Sequence, residues 1–126
     1  MAHKVLIVDD EAGFTKLLKM NLEKSGQFEV QIENNSMKAL ATAQEFAPDV
    51  ILLDVVMPGL DGGDVAALFQ NDPVLKKVPI IMLTALVSPG ETSQDAVAQS
   101  GSLTVLPKPV NLEKLTRCLL DAIGIV

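Results

Sequence analysis

Three carboxylates, a hydroxyl and an ammonium stand directly behind short aliphatic runs in this sequence. Asp9 and Asp10 follow Val5–Val8, Asp54 follows Val50–Leu53, Thr84 follows Ile80–Leu83, and Lys108 comes just past Leu103–Leu106. Aliphatic runs without a polar break read as strands buried on both faces of a parallel sheet. Residues that end such strands share one rim, which is where open α/β sheets bind ligands. Like charges a few ångströms apart repel by roughly 4 kcal/mol per pair at an effective dielectric near 20. Lys108 can compensate one of the three acids, and a hard divalent cation with oxygen ligands, Mg²⁺ above all, can compensate the others. A helix-capping role accounts for Asp9 or Asp10 taken singly, since carboxylates favour a helix N-terminus. It leaves Asp54 and Lys108, the latter set between two prolines, without an explanation.

The elements that must position these residues alternate along the chain. After the first strand, Phe14, Leu17, Leu18 and Leu22 recur at helical spacing up to a stop at Ser25-Gly26. Phe28, Val30 and Ile32 alternate with polar residues, which predicts a half-exposed strand near a sheet edge. Asn34-Asn35-Ser36 supplies an N-cap for a helix carrying Met37, Leu40 and Ala43 and closed by Pro48. The Asp54 strand turns away at Pro58-Gly59, and a third helix carries Val65, Leu68 and Phe69. The stretch from Ser88 to Gly101 is polar and small-residued, and is expected to form the least stable helix. A final helix carries Leu112, Leu115, Leu119 and Ile123. Five strands and five helices in strict alternation, joined by short connections, predict a doubly wound α/β fold with a five-stranded parallel sheet covered on both faces.

Composition narrows the function classes. A chain of 126 residues supports one domain. It is 48% hydrophobic and 21% charged, ordinary for a globular protein, with four Phe and no Trp or Tyr, so the core is aliphatic. The net charge of −6 argues against nucleic acid, which wants an excess of Lys and Arg. No apolar run approaches the roughly 20 residues of a membrane span. A single Cys cannot form an internal disulfide, which makes the cytoplasm the expected compartment. Cys118 reads as packing, His3 as a solvated terminal residue, and Met20, Met37, Met57 and Met82 as core fillers.

With these residues in place, the chain resembles the receiver (response-regulator, CheY-like) domain of two-component signal transduction from its first strand to its last helix. Asp9-Asp10-Glu11 is similar to that family's Mg²⁺-binding acidic pair. Asp54 with Met57-Pro58-Gly59 and Asp61-Gly62 resembles the phosphoacceptor and its loop, Thr84-Ala85 the switch hydroxyl with its small neighbour, and Lys108-Pro109 the lysine that pairs with the acceptor. The resemblance implies the flavodoxin-like strand order 2-1-3-4-5. It implies a single receiver domain over residues 1–126 with no output domain in this chain, and Mg²⁺ held by Asp9, Asp10, Asp54 and the Val56 carbonyl. It implies phosphoryl transfer to Asp54 from a sensor histidine kinase or histidine phosphotransfer protein, with Thr84 and Lys108 assisting. Output would pass to a downstream target protein from a monomer or weak dimer, with no nucleic acid or membrane as partner and no separate substrate turned over.

Three positions depart from the family pattern. Val105 stands where the family commonly has its switch aromatic, and apolar Val56 and Leu86 stand where polar residues often order an attacking water. The expected consequence of the last two is slow loss of the phosphoryl group. The alternative reading is a degenerate receiver acting as a phosphorylation-independent interaction module. A haloacid-dehalogenase-like phosphatase fits less well, because those enzymes carry Asp-x-Asp on the nucleophile strand and this chain has Asp54-Val55-Val56. Nucleotide binding lacks a glycine-rich phosphate loop after the first strand.

Overall fold

The computed structural model describes residues 2–84, 98–100, 103–107 and 111–124. Strands β1 (His3–Val8), β2 (Phe28–Glu33), β3 (Val50–Asp54), β4 (Ile80–Thr84), β5 (Ala98–Ser100) and β6 (Leu103–Pro107) form one sheet. Helices α1 (Ala12–Glu23), α2 (Ala39–Phe46), α3 (Gly62–Gln70) and α4 (Leu112–Ile123) accompany them. The strand order is β2-β1-β3-β4-β6-β5. Its first five members run parallel, in the 2-1-3-4-5 order that the family resemblance implies, with β6 in the fifth place.

The two-residue side-chain period of the strands sorts the core into two layers. Val5, Ile7, Val50, Leu52, Ile81, Leu83 and Leu106 pack on one side against Leu18 and Leu22 of α1 and Leu115 and Leu119 of α4. Leu6, Val8, Ile51, Leu53, Ile80 and Met82 pack on the other against Ala39 and Ala43 of α2 and Val65 and Phe69 of α3. Both faces of β3 are therefore covered, which is why its sequence shows no alternation. β2 lies at the sheet edge, where Phe28 and Val30 are buried and Glu29 and Gln31 exposed, as their alternation requires.

Several expectations need correction. The expected helix between Ser88 and Gly101 gives way, where described, to β5, a short strand antiparallel to β6 with Ala98 opposite Val105 and Ser100 opposite Leu103; residues 85–97 lie outside the described set. Ala98, Gln99 and Ser100 carry no apolar period of their own, and pairing with β6 defines them as a strand. Met57 and Met82 are buried, but Met20 and Met37 are 60% and 67% exposed. Met20 projects opposite the Leu18–Leu22 stripe of α1, at about 100° per residue, and Met37 lies on a single 3₁₀ turn, Ser36–Lys38, that precedes α2. His3 is not a solvated tail residue either. It opens β1 paired with Phe28, half-buried, with the two rings 6.4 Å apart.

Candidate metal centre at the carboxyl edge of the sheet

Register brings the acids together. Val8 pairs with Leu53, so the next residues in each strand direction, Asp9 and Asp54, leave adjacent strands at the same level. Asp54 pairs in turn with Leu83, one residue before Thr84. Asp9, Asp54 and Thr84 are all buried. Each of Asp9, Glu11 and Asp54 offers a carboxylate oxygen such that the three atoms lie within 4.8 Å of one another. Oxygens on opposite sides of an octahedral Mg²⁺, with bonds of about 2.1 Å, stand about 4.2 Å apart. The three groups thus need only a small side-chain adjustment to share one ion, and a set made wholly of carboxylate oxygens suits Mg²⁺ rather than a softer metal.

Glu11 was not singled out by sequence as a ligand. Asp10, which was, is exposed and stands outside this cluster. The local reason is the turn into α1. An Asp9 Oδ1 accepts the Glu11 backbone N–H at 2.9 Å, an Asx-type turn that swings Glu11 back over the site as the N-cap residue of the helix. Asn34 supports Asp9 from the neighbouring strand end. Its Nδ2 donates to the Asp9 carbonyl at 2.7 Å and to Thr15 Oγ1 at 3.1 Å, and Thr15 Oγ1 donates to the Ala12 carbonyl at 3.1 Å. Nothing in the spacing of Asn34 and Thr15 announces this chain, because it forms only when β1 and β2 are paired.

The loop after Asp54 is held at both ends by backbone bonds. Val55 N–H donates to the Leu83 carbonyl at 3.0 Å, and Gly62 N–H donates to the Val55 carbonyl at 2.8 Å. Between them, Gly59 turns the chain with φ +82°, a conformation open to glycine at little cost. Asp61 then starts α3 in a reciprocal cap with Asp64. Val56 faces solvent at 58% exposure, Val55 is half-buried against the α2–α3 layer, and Val105 packs against that same layer. β6 ends at Pro107, paired with Thr84; Lys108 and Leu86 lie outside the described residues. Cys118 is a free thiol on α4 whose pKa is raised, chiefly by burial and further by the charge of Asp121, so it is poorly suited to thiolate chemistry.

The model of the response regulator receiver domain matches residues 5–120, and the chain belongs to that family. Its class is therefore the receiver of two-component signalling, as the order of strands and the acidic cluster at their ends suggest. The chain is 36% identical over 111 residues to the response regulator PleD of Caulobacter vibrioides, which spans 88% of this chain and 24% of PleD. The chain thus corresponds to about a quarter of that relative's length. Among solved structures, the Vibrio cholerae chemotaxis protein CheY4 is 32% identical, with a TM-score of 0.81 over 97% of this chain and 99% of its own. The receiver domain of a Pseudomonas aeruginosa sensor histidine kinase is 26% identical, with a TM-score of 0.80 over 98% of this chain and 99% of its own. That structure holds a magnesium ion coordinated in its active-site cleft. No helix among the described residues is long and apolar enough to cross a membrane.

Proposed function

We propose that this chain is a phosphoacceptor switch, in which Asp54 receives a phosphoryl group from a sensor histidine kinase or histidine phosphotransfer protein in a Mg²⁺-dependent reaction. The observation that carries this reading is the burial of Asp54 beside Asp9 with Glu11 closing the cluster, an arrangement of like charges that costs stability unless a cation offsets it. An Asp54 carboxylate oxygen attacks the phosphorus, forming a P–O bond as the P–N bond of the donor phosphohistidine breaks, and the released imidazole keeps the electron pair and takes up a proton.

Mg²⁺, when bound, supplies charge neutralisation at the phosphoryl oxygens. Asp9 and Asp54 would hold it with the Val56 carbonyl. Glu11 already stands beside them, whereas Asp10, the ligand the family resemblance implies, would have to turn in from outside the cluster to join. Thr84, buried at the end of the strand next to Asp54, would donate a hydrogen bond to a phosphoryl oxygen, and Lys108 would balance the remaining charge. Displacement of Thr84 would then remodel the segment that follows it and alter the surface offered to a downstream target protein. The chain turns over no separate substrate in this reading, acts in the cytoplasm, and works as a monomer or weak dimer. The half-buried Val105, standing where the family commonly has its switch aromatic, favours a second reading, an interaction module that works without phosphorylation.

Intact-mass measurement after incubation with Mg²⁺ and a small acyl-phosphate donor decides between them. One phosphoryl adduct, absent without Mg²⁺ and absent in Asp54→Ala, is the expected result. An unmodified wild-type protein under conditions that label an ordinary receiver would leave the interaction module standing.

A further inference from the structure

The loop from Val55 to Gly62 follows directly on Asp54, and its ends are fixed by main-chain bonds that any sequence could make. Its middle is fixed by a side chain. Ser36, on the 3₁₀ turn that follows β2, is buried. Its Oγ donates to the Pro58 carbonyl at 3.0 Å and accepts the Leu60 N–H at 3.1 Å, spanning the left-handed Gly59 between them. The approach is close: a Cβ added to Gly59 would stand 3.3 Å from the same oxygen. One hydroxyl therefore satisfies both a donor and an acceptor on opposite sides of the turn, across 22 and 24 residues of sequence. The Ser36 turn is anchored in its own right, since Asn35 Oδ1 accepts the Met37 N–H at 3.0 Å and the Lys38 N–H donates to the Asn35 carbonyl at 3.0 Å.

We propose that Ser36 is a positioning residue for the cation site, holding the loop after Asp54 in the register that a shared Mg²⁺ requires. The inference rests on the phosphoacceptor reading above. Ser36 bonds the backbone of the loop, and its role at the site is indirect. It acts through Pro58 and Leu60 on the backbone that begins at Asp54, so its removal should loosen the loop before it loosens the sheet. The same clamp ties the loop to the turn bearing the exposed Met37.

The test compares wild type, Ser36→Ala and a core control of matched stability loss in the opposite layer, Leu22→Val, by Mg²⁺ titration calorimetry and by amide exchange at Leu60. Ser36→Ala should bind Mg²⁺ about tenfold more weakly, with Leu60 exchange accelerated and core-strand amides little changed, as expected when a shared hydrogen-bond partner is removed. Ser36→Cys, which keeps the volume and weakens both hydrogen bonds, should fall between the two. Wild-type Mg²⁺ affinity in Ser36→Ala, or an equal loss in Leu22→Val, overturns the positioning role while leaving the phosphoacceptor reading intact. A wild-type protein that binds no Mg²⁺ overturns both together.

Discussion

Gly62 lies against the backbone of Asp54 so closely that a methyl group at its Cα would stand 2.5 Å from the Asp54 carbonyl oxygen and 2.8 Å from the Val55 Cα. Both obstacles are main chain, so neither can rotate away. The first residue of α3 is thus packed directly on the end of the strand that carries the acceptor, and its N–H bonds the Val55 carbonyl at 2.8 Å. Gly62→Ala must push α3 and the end of β3 apart. We expect a loss of about 2–3 kcal/mol in denaturant unfolding, with Mg²⁺-dependent labelling of Asp54 slowed as well. Unchanged stability would mean that α3 can shift without cost. By contrast, Gly63→Ala meets only the Asp61 carboxylate at 3.4 Å, an ordinary contact, and serves as the control.

Crowding of charge makes a second prediction of opposite sign. Asp54 is buried beside Asp9, itself fully buried, and their carboxylates share a cluster with Glu11. Without Mg²⁺, Asp54→Asn removes one of these charges and should raise the unfolding free energy by about 1 kcal/mol, part of the roughly 4 kcal/mol repulsion of a close pair being offset by lost hydrogen bonding. In saturating Mg²⁺ the order should reverse, because the wild type gains binding free energy that the variant gives up. A denaturant midpoint that falls for Asp54→Asn in the metal-free protein would refute the strained acidic edge.

Sequence and structure agree where local pattern decides the outcome. The doubly buried strands announce themselves as unbroken aliphatic runs, and the alternation of Phe28, Val30 and Ile32 announces the edge strand. Asp9, Asp54 and Thr84 were legible because strand ends in a parallel sheet share an edge whatever the loops do. Glu11, Asn34, Thr15 and Ser36 were not, because their roles depend on turn geometry and on pairing between distant strands. Met20 and Met37 misled for a related reason: residue type suggests burial, but the helical phase and the 3₁₀ turn place both outward. β5 was missed because three small or polar residues carry no period of their own, and the partner strand defines them.

Asp72 gives the fold a local dependence on pH. Its carboxylate accepts N–H groups from Leu75 at 3.0 Å and Val74 at 2.9 Å and the Gln44 side-chain amide at 2.9 Å, which ties the α3–β4 connection to α2. The Leu75 N–H first, then Gln44 and Val74, hold its pKa below the ordinary 3.8. A depressed folded-state pKa contributes stability above the unfolded value, and that contribution disappears as pH falls through the folded one. The difference in unfolding midpoint between wild type and Asp72→Asn should therefore be fully present at neutral pH and shrink with acidification below about pH 4. Carbon-detected titration of the Asp72 carboxyl checks the cause, and an ordinary titration midpoint there would remove it.

Val56 bears on how long the phosphoryl group lasts. It is exposed two residues after Asp54, on the loop held by Ser36, and offers no polar atom to orient a water for attack on phosphorus. An amide side chain at this place could hold such a water in line, and correct placement of a nucleophile is a large part of any hydrolytic rate. Val56→Asn should thus lose its phosphoryl group faster than wild type, by about three- to tenfold, with the rate of labelling little changed because that step uses the donor's phosphorus and not water. The measurement is the decay of the phosphorylated mass after removal of the donor, at fixed Mg²⁺. Equal lifetimes for the two proteins would show that water reaches the acyl phosphate regardless of Val56.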